Sequence, residues 1–349
     1  MELIKTIEQL RTELQAGVVV EHTTIPVYLV ALYSLRGDAN ARVRDVIHHV
    51  LMEEMLHLTL VANLINAIGG KPNLCQKTLM VPFPAPLLPG NNFKVNLSAF
   101  SKSTVHDFLQ IEKPAPAADQ PKGKGRRTIG DFYDCMRDSL KLLHEQHGDT
   151  LFSAPSNPQV TGKFYYGPGE IVPVTNLETA LFALKTIRDQ GEGDSHTIWE
   201  REPNYRFKGS LEPAHYYRFK QLLDERSWRL HDDPAKLPTG PGVTVSWNDV
   251  YPMKRNPKIE HYDGELKEGA LKFNKRYGEL LCLLNETFNG KPEKMGVAIP
   301  MMSQLRDLAI AVIRQPYPGK KGFNAGPTFE PVDQPCGCSA LAKGAVAVK

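Results

Sequence analysis

Three ionisable residues, Glu21, Glu54 and His57, fall at positions where the sequence pattern demands core. Glu21 lies on the stripe Leu3, Ile7, Leu10, Leu14, Gly17, Glu21, Ile25, Tyr28, Leu32 and Leu35. Glu54 and His57 lie on Val43, Ile47, Val50, Glu54, His57, Val61, Leu64 and Ile68. Both stripes alternate steps of three and four, the rhythm of a helix buried along one face. Charged side chains rarely enter a core without a partner, because desolvation is expensive. Glu54 and His57 are three apart, so they project onto one neighbourhood. Glu21 and Glu54 stand at nearly equal distances along the chain on either side of the break at Asp38. In an antiparallel hairpin those positions share one height, so two carboxylates and an imidazole are expected to meet.

The same spacing recurs in Glu212-x-x-His215, preceded by Glu192, which is in phase with Leu181. Two Glu-x-x-His pairs plus one Glu from each of two further helices make the ligand set of a carboxylate-bridged dimetal centre. Carboxylates bridge and neutralise two cations, and neutral imidazoles cap them. Mixed oxygen and nitrogen donors suit iron or manganese better than zinc. Two iron ions are therefore the expected cofactor, with manganese as the alternative. With 22 Glu and 11 His in 349 residues, about 0.7 Glu-x-x-His pairs arise by chance, so the buried phase and the repeat carry the reading. Glu192 lies between two glycines, and Glu178, Asp189 or His196 could take its place. Glu53 is expected to point outward, with support of a ligand as the alternative. Tyr28 reads as core rather than a radical site. His22, His48 and His49 fall off the stripes and read as surface or rim. Arg218 is either a surface cation or a partner of a ligand carboxylate. Cys75, Cys135 and Cys282 read as ordinary partly buried residues, and Cys336-Gly-Cys338 as incidental thiols rather than a metal shuttle.

The elements that must position these groups follow from composition. The 42 basic and 39 acidic residues leave a net charge of +3, which argues against nucleic acid as the main partner. Hydrophobic residues at 41% and charged residues at 23% exclude global disorder. Five cysteines exclude a disulfide scaffold. No apolar run approaching the roughly 20 residues of a membrane span is expected, and the start lacks the shape of a signal peptide. The expectation is a cytoplasmic, all-α protein. The 27 prolines and 27 glycines are unevenly placed, with Pro26 the one proline ahead of Gly69. Bundle helices are expected at about 2–36, 40–68, 177–192 and 212–230 in one domain over 1–330. An insertion at 71–175 carries shorter helices from about Ser103 and from Thr128, an N-cap with Asp131 three residues on. Further helices are expected within 264–314, a flexible tail over 331–349, and strands at most at Phe164–Tyr166 and Val243–Val245. The basic loop 114–127 reads as solvated.

Several stretches match a known pattern in order: Glu21-His-Thr-Thr-Ile-Pro-Val-Tyr28, Met52-Glu-Glu-Met-Leu-His57, Thr128-Ile-Gly-Asp-Phe-Tyr133, Gln190-Gly-Glu-Gly193, His215-Tyr-Tyr-Arg-Phe219 and Gly326-Pro-Thr-Phe-Glu330. On these the chain resembles the ferritin-like domain family that includes the corresponding domain of the violacein-pathway iminophenyl-pyruvate dimer synthase. The resemblance implies a metal-binding four-helix bundle with Glu21, Glu54, His57, Glu192, Glu212 and His215 in the ligand positions. It does not imply one reaction. The expected function is a non-haem di-iron oxidase or oxygenase acting with dioxygen on a small organic metabolite, an amino-acid derivative being the candidate. A ferroxidase, and a non-catalytic partner of a biosynthetic enzyme, remain open alternatives. No nucleic acid or membrane partner is expected, and a homo-oligomer is left open. Residues 191–210 would form a loop over the metals, with Trp199 and Tyr205 either lining a pocket or filling a satellite core.

Overall fold

A computed structural model of the chain describes residues 3–88, 92–114, 128–165, 169–191, 198–199 and 212–333. The first hairpin forms where the stripes place it. Helix α1 spans Ile7–Ser34, and its N-cap Thr6 accepts the Gln9 N–H. Helix α2 spans Ala41–Ala67. The short link between them forces an antiparallel pair. A single turn, α3 (Gln76–Leu79), and the antiparallel strands β1 (Ala85–Pro86) and β2 (Lys94–Val95) follow. Helix α4 covers Lys102–Ile111, capped by Ser101. Helix α5 covers Ile129–His147 and begins with a reciprocal Thr128–Asp131 capping box. Helices α6 (Leu177–Gly191), α7 (His215–Leu223), α8 (Gly264–Phe288) and α9 (Met295–Ile313) complete the order.

Several expectations need correction. The fourth bundle helix starts at His215 and ends at Leu223 rather than covering 212–230. Pro213 bridges Trp199, and Ala214 is extended at ψ 158°, so the helix cannot begin earlier. Among the described residues, neither 164–165 nor Val243–Val245 forms a strand. Cys75 and Cys282 are disulfide-bonded rather than ordinary thiols. They lie far apart in sequence, on α3's N-cap and on α8, and only the packing of α3 on α8 brings these segments together.

Helix α2 is the axis of the molecule. It packs on α1, α6, α7 and α8, and every residue from Leu56 to Ile68 is buried. The stretch expected as an insertion, 71–175, is integral to the packing, because α5 packs on both α1 and α6, and α4 packs on α7. Two asparagines on α2 tie distant chain to this axis. Asn63 donates to the Val160 carbonyl at 2.7 Å and accepts the Val160 N–H at 3.1 Å. Asn66 donates to the Phe288 carbonyl at 2.7 Å.

Two helical segments, Ile7–Ser34 and Pro292–Ile313, are long and apolar enough by length and composition to cross a bilayer, which corrects the expectation that none would be. In the first, 72% of the apolar window is buried inside the protein, where it surrounds Glu21. In the second, the figure is 28%.

Asn63→Ala should strand both backbone groups of buried Val160 and lower the unfolding free energy by about 2–4 kcal/mol. Thermal or urea unfolding reads this directly, and an unchanged midpoint would show that the clamp carries no stability.

Candidate metal centre

Five side chains meet on the inner face of α2. Glu21 comes from the middle of α1, and Glu54 and His57 from successive turns of α2. Glu112 is the C-cap of α4, and His215 is the first residue of α7. None is more than 3% exposed. They form two groups, Glu21–Glu54–His57 and Glu54–Glu112–His215, in each of which the donor atoms lie within 4.8 Å of one another. Glu54 is common to both.

The two imidazoles are held alike. His57 Nε2 lies 2.9 Å from Gln190 Oε1 on α6, and His215 Nε2 lies 2.9 Å from Glu53 Oε2. Both partners accept, so Nε2 carries the proton and Nδ1 presents a lone pair. Those lone pairs face carboxylates. His57 Nδ1 stands 3.4 Å from Glu21 Oε2 and 3.8 Å from Glu54 Oε1. His215 Nδ1 stands 3.1 Å from Glu54 Oε1 and 3.5 Å from Glu112 Oε2, and it is buried without forming a hydrogen bond. Lone pair against carboxylate is repulsive unless a proton or a metal cation sits between them. The rings stack with centroids 5.6 Å apart.

The outer oxygens are tied in the same pattern. Tyr133 of α5 donates to Glu21 Oε1, and Tyr28 of α1 donates to Glu112 Oε1. Each end carboxylate thus keeps its Oε2 toward an imidazole. Thr24 donates to Glu54 Oε2 at 2.6 Å, leaving Oε1 facing both rings. Gly17 makes room for this, since a Cβ there would stand 3.3 Å from Val61 and 3.4 Å from the Tyr133 hydroxyl. Tyr28, Phe108 and Phe219 pack in an aromatic knot with centroids 4.8 to 5.4 Å apart, which locks α1, α4 and α7 where Glu112 and His215 emerge.

The charges are uneven. Burial would raise the Glu53 carboxyl, yet Arg218 at 2.7 Å and the His215 contact hold it down at about 2. Burial and the nearby Glu112 charge push Glu54 up to about 7. Burial opposes charging of His57 and His215, but the surrounding glutamates raise both. The cluster therefore holds protons at neutral pH when no cation replaces them.

Four of the six ligand positions expected from the sequence converge: Glu21, Glu54, His57 and His215. Glu212 does not join them. It is half-buried in extended chain two residues ahead of the α7 N-cap, so its spacing to His215 is not helical. Glu192 and His196 lie outside the described residues. Of the other substitutes, Glu178 is exposed and Asp189 pairs with Lys185 at 3.0 Å. The fifth member, Glu112, is absent from the sequence expectation. A signal for it exists, because it lies four residues after Phe108 on the buried face of α4. Glu53 is 1% exposed rather than outward-facing, since α2 has no free side there. His22 is 3% exposed rather than a rim residue, because Tyr277 of α8 covers it at 2.9 Å. Arg218 proves to be buried against Glu53. Trp199 packs against the satellite core of Ile198, Ala214, Tyr217 and Trp228. Tyr205, Cys336 and Cys338 lie outside the described residues.

A small pocket reaches the cluster, lined by Glu21, Glu54, His57 and Glu112 together with Ile129, Gly130, Ile187, Arg188 and Gly191.

A pH effect follows from the Glu54 shift. Its carboxyl is raised from 4.5 to about 7, so its contribution to metal-free stability is present below 4.5 and lost as pH rises through about 7. Glu53 acts oppositely, contributing above 4.5 and losing that contribution only as pH falls toward about 2. Between pH 5 and 8 the metal-free protein should lose the stability that protonated Glu54 contributes, while affinity for Mn²⁺ rises, with protons released on binding. Calorimetry in buffers of different ionisation enthalpy measures the release, and an affinity flat over that interval would contradict it.

Comparison with known proteins places the fold. A ferritin-like family model matches residues 14–224. The chain is 26% identical to dichlorochromopyrrolate synthase of Lentzea aerocolonigenes, over 95% of its own length and 37% of that protein. It is also 26% identical to 2-imino-3-(indol-3-yl)propanoate dimerase of Chromobacterium violaceum, over 97% of this chain and 36% of that one. The chain thus spans little more than a third of the length of these curated relatives. A solved ferritin-like protein from Caulobacter vibrioides superimposes with a TM-score of 0.56 at 21% identity, covering 89% of this chain and 96% of that one, and so shares its fold. With an all-α architecture and the family match over residues 14–224, this chain belongs to the ferritin-like family.

Proposed function

We propose that the cluster holds two iron ions, with manganese as the alternative, and that the chain uses them with dioxygen to oxidise a small metabolite derived from an amino acid. The observation that carries this reading is the pair of buried imidazole Nδ1 atoms facing carboxylate oxygens, with Glu54 shared between the two groups. Glu21 and His57 would hold one ion, Glu112 and His215 the other, and Glu54 both. The donor set of three carboxylates and two imidazoles fits iron or manganese. Two such ions supply electrons for the reduction of dioxygen. The names of the two relatives, one a synthase and one a dimerase of an imino acid, support a small biosynthetic substrate.

The protein's own residues would do the rest. Gln190 and Glu53 fix both imidazoles in the Nδ1-presenting tautomer. Tyr28 and Tyr133 stay protonated, since burial and the adjacent glutamate charges push their phenols up, and they hold the end carboxylates. Arg218 neutralises Glu53, so that support of His215 adds no bare charge. Ile129 and Ile187 supply apolar lining beside the cluster.

Elemental analysis of the purified protein tests the reading. Two ions per chain are expected, and fewer than half an ion per chain would overturn it. His57→Ala and His215→Ala should each lower the metal content to below half of the wild-type level, while Glu212→Gln should leave it unchanged.

A further inference from the structure

The two halves of the cluster are backed differently. Behind His215 stands a carboxylate, with Glu53 Oε2 2.9 Å from Nε2. Arg218 grips both Glu53 oxygens, at 2.7 and 3.3 Å, and also donates to the carbonyl of Pro213, two residues ahead of His215. Behind His57 stands an amide, with Gln190 Oε1 2.9 Å from Nε2. A carboxylate can only accept, so it enforces the ring that presents Nδ1, and its charge strengthens the hydrogen bond. An amide carries a donor on the same hinge, and a half-turn would offer N–H to the ring and reverse its tautomer. Glu53 stands in the middle of α2, whereas Gln190 is the last residue but one of α6.

The halves also differ in enclosure. Phe108 and Phe219, both fully buried, close the side from which Glu112 and His215 emerge. The small pocket has room for about one water molecule. It lies against Glu21 and His57, between the first turn of α5 and the last turn of α6. Glu112 reaches it as well, but among the described residues neither His215 nor any other residue of α7 lines it. The space beside the cluster is therefore on the His57 side.

We infer that the two ion positions are unequal: Glu112 and His215 hold a tightly bound, slowly exchanging ion, and Glu21 and His57 a weaker, exchangeable one. Glu53 and Gln190 are the positioning residues that set the difference. The inference rests on the two-ion reading above and ranks its two positions. The partner behind a metal-bound histidine is worth about 10- to 100-fold in affinity, so a locked carboxylate in place of an amide is enough to order the loading. The first cation goes to the His215 half and leaves it last. The second goes to the His57 half, beside the pocket.

The test titrates Mn²⁺ into the full-length chain stripped of metal. Calorimetry reads the two binding steps, and a chelator chase reads the two rates of loss. Two cations sharing Glu54 repel each other, so unequal steps are expected even of identical halves, and the variants carry the decision. Gln190→Leu should weaken the second step and quicken the early loss by about tenfold, with the first step and the late loss within about threefold of wild type. Glu53→Gln should weaken the first step and quicken the late loss by about tenfold, with the second step within about threefold. Glu53→Gln leaves Arg218 buried beside a neutral amide, so Glu53→Gln/Arg218→Gln repeats the measurement without that charge and should give the same pattern. A first step weakened by Gln190→Leu and spared by Glu53→Gln would reverse the ranking. Equal weakening of both steps by either variant would overturn it. A wild type that takes up fewer than half an ion per chain would overturn the two-ion reading, and the ranking with it. Two ions with a uniform or reversed response would overturn the ranking alone.

Discussion

Four glutamates, Glu21, Glu53, Glu54 and Glu112, are buried within one cluster of side chains, and among the described residues one guanidinium, Arg218, is buried with them. An ionised carboxylate in a protein interior costs several kcal/mol unless it is compensated. Arg218 is paired with Glu53. Among the described residues no guanidinium or ammonium is paired with the other three carboxylates, so protons, or cations held at the two imidazoles, are what could satisfy them. Much of the surrounding architecture makes sense as management of that deficit. Phenols and a threonine hydroxyl occupy the outer oxygens, and Glu53 and Gln190 occupy the outer ring nitrogens, so that among the described residues the inner atoms face one another.

The site also has an internal likeness that chain order hides. Glu21 with Tyr133, His57 and Gln190 on one side answers Glu112 with Tyr28, His215 and Glu53 on the other. The two halves differ at one place, where a neutral amide backs His57 and a carboxylate–guanidinium pair backs His215. A carboxylate acceptor makes the ring it supports a stronger donor to metal than an amide does.

The first half of the site is legible in the sequence because α1 and α2 are long, uninterrupted by loops, and closed by a short turn. Phase then fixes the face, and distance from the turn fixes the height. The same logic applied to α2 fails at Glu53. A stripe argument assumes a solvent side, and α2 has partners on several sides. His22 is misplaced for a related reason, since the helix that covers it begins far along the chain, at Gly264. His215 is found through a spacing to Glu212 that the structure does not use. Pro213 and the extended Ala214 break the helix between the two. Glu112 escapes notice because it ends a short helix just ahead of Pro114, in a stretch whose composition reads as connection. That helix buries Thr104, Val105, Phe108 and Ile111, the same kind of phase that marks Glu54.

The order of the clustered residues along the chain has a consequence for biosynthesis. Glu21, Glu54 and His57 emerge from the ribosome first, on a hairpin that could fold by itself. Glu112 arrives later with α4, and His215 later still with α7. Until then the nascent chain carries half a site, with carboxylates exposed on a surface that is destined to be interior. The tyrosines and the aromatic knot that shape the cluster are likewise shared between early and late segments. Completion of the cluster therefore waits on α7, long after the first hairpin has been made.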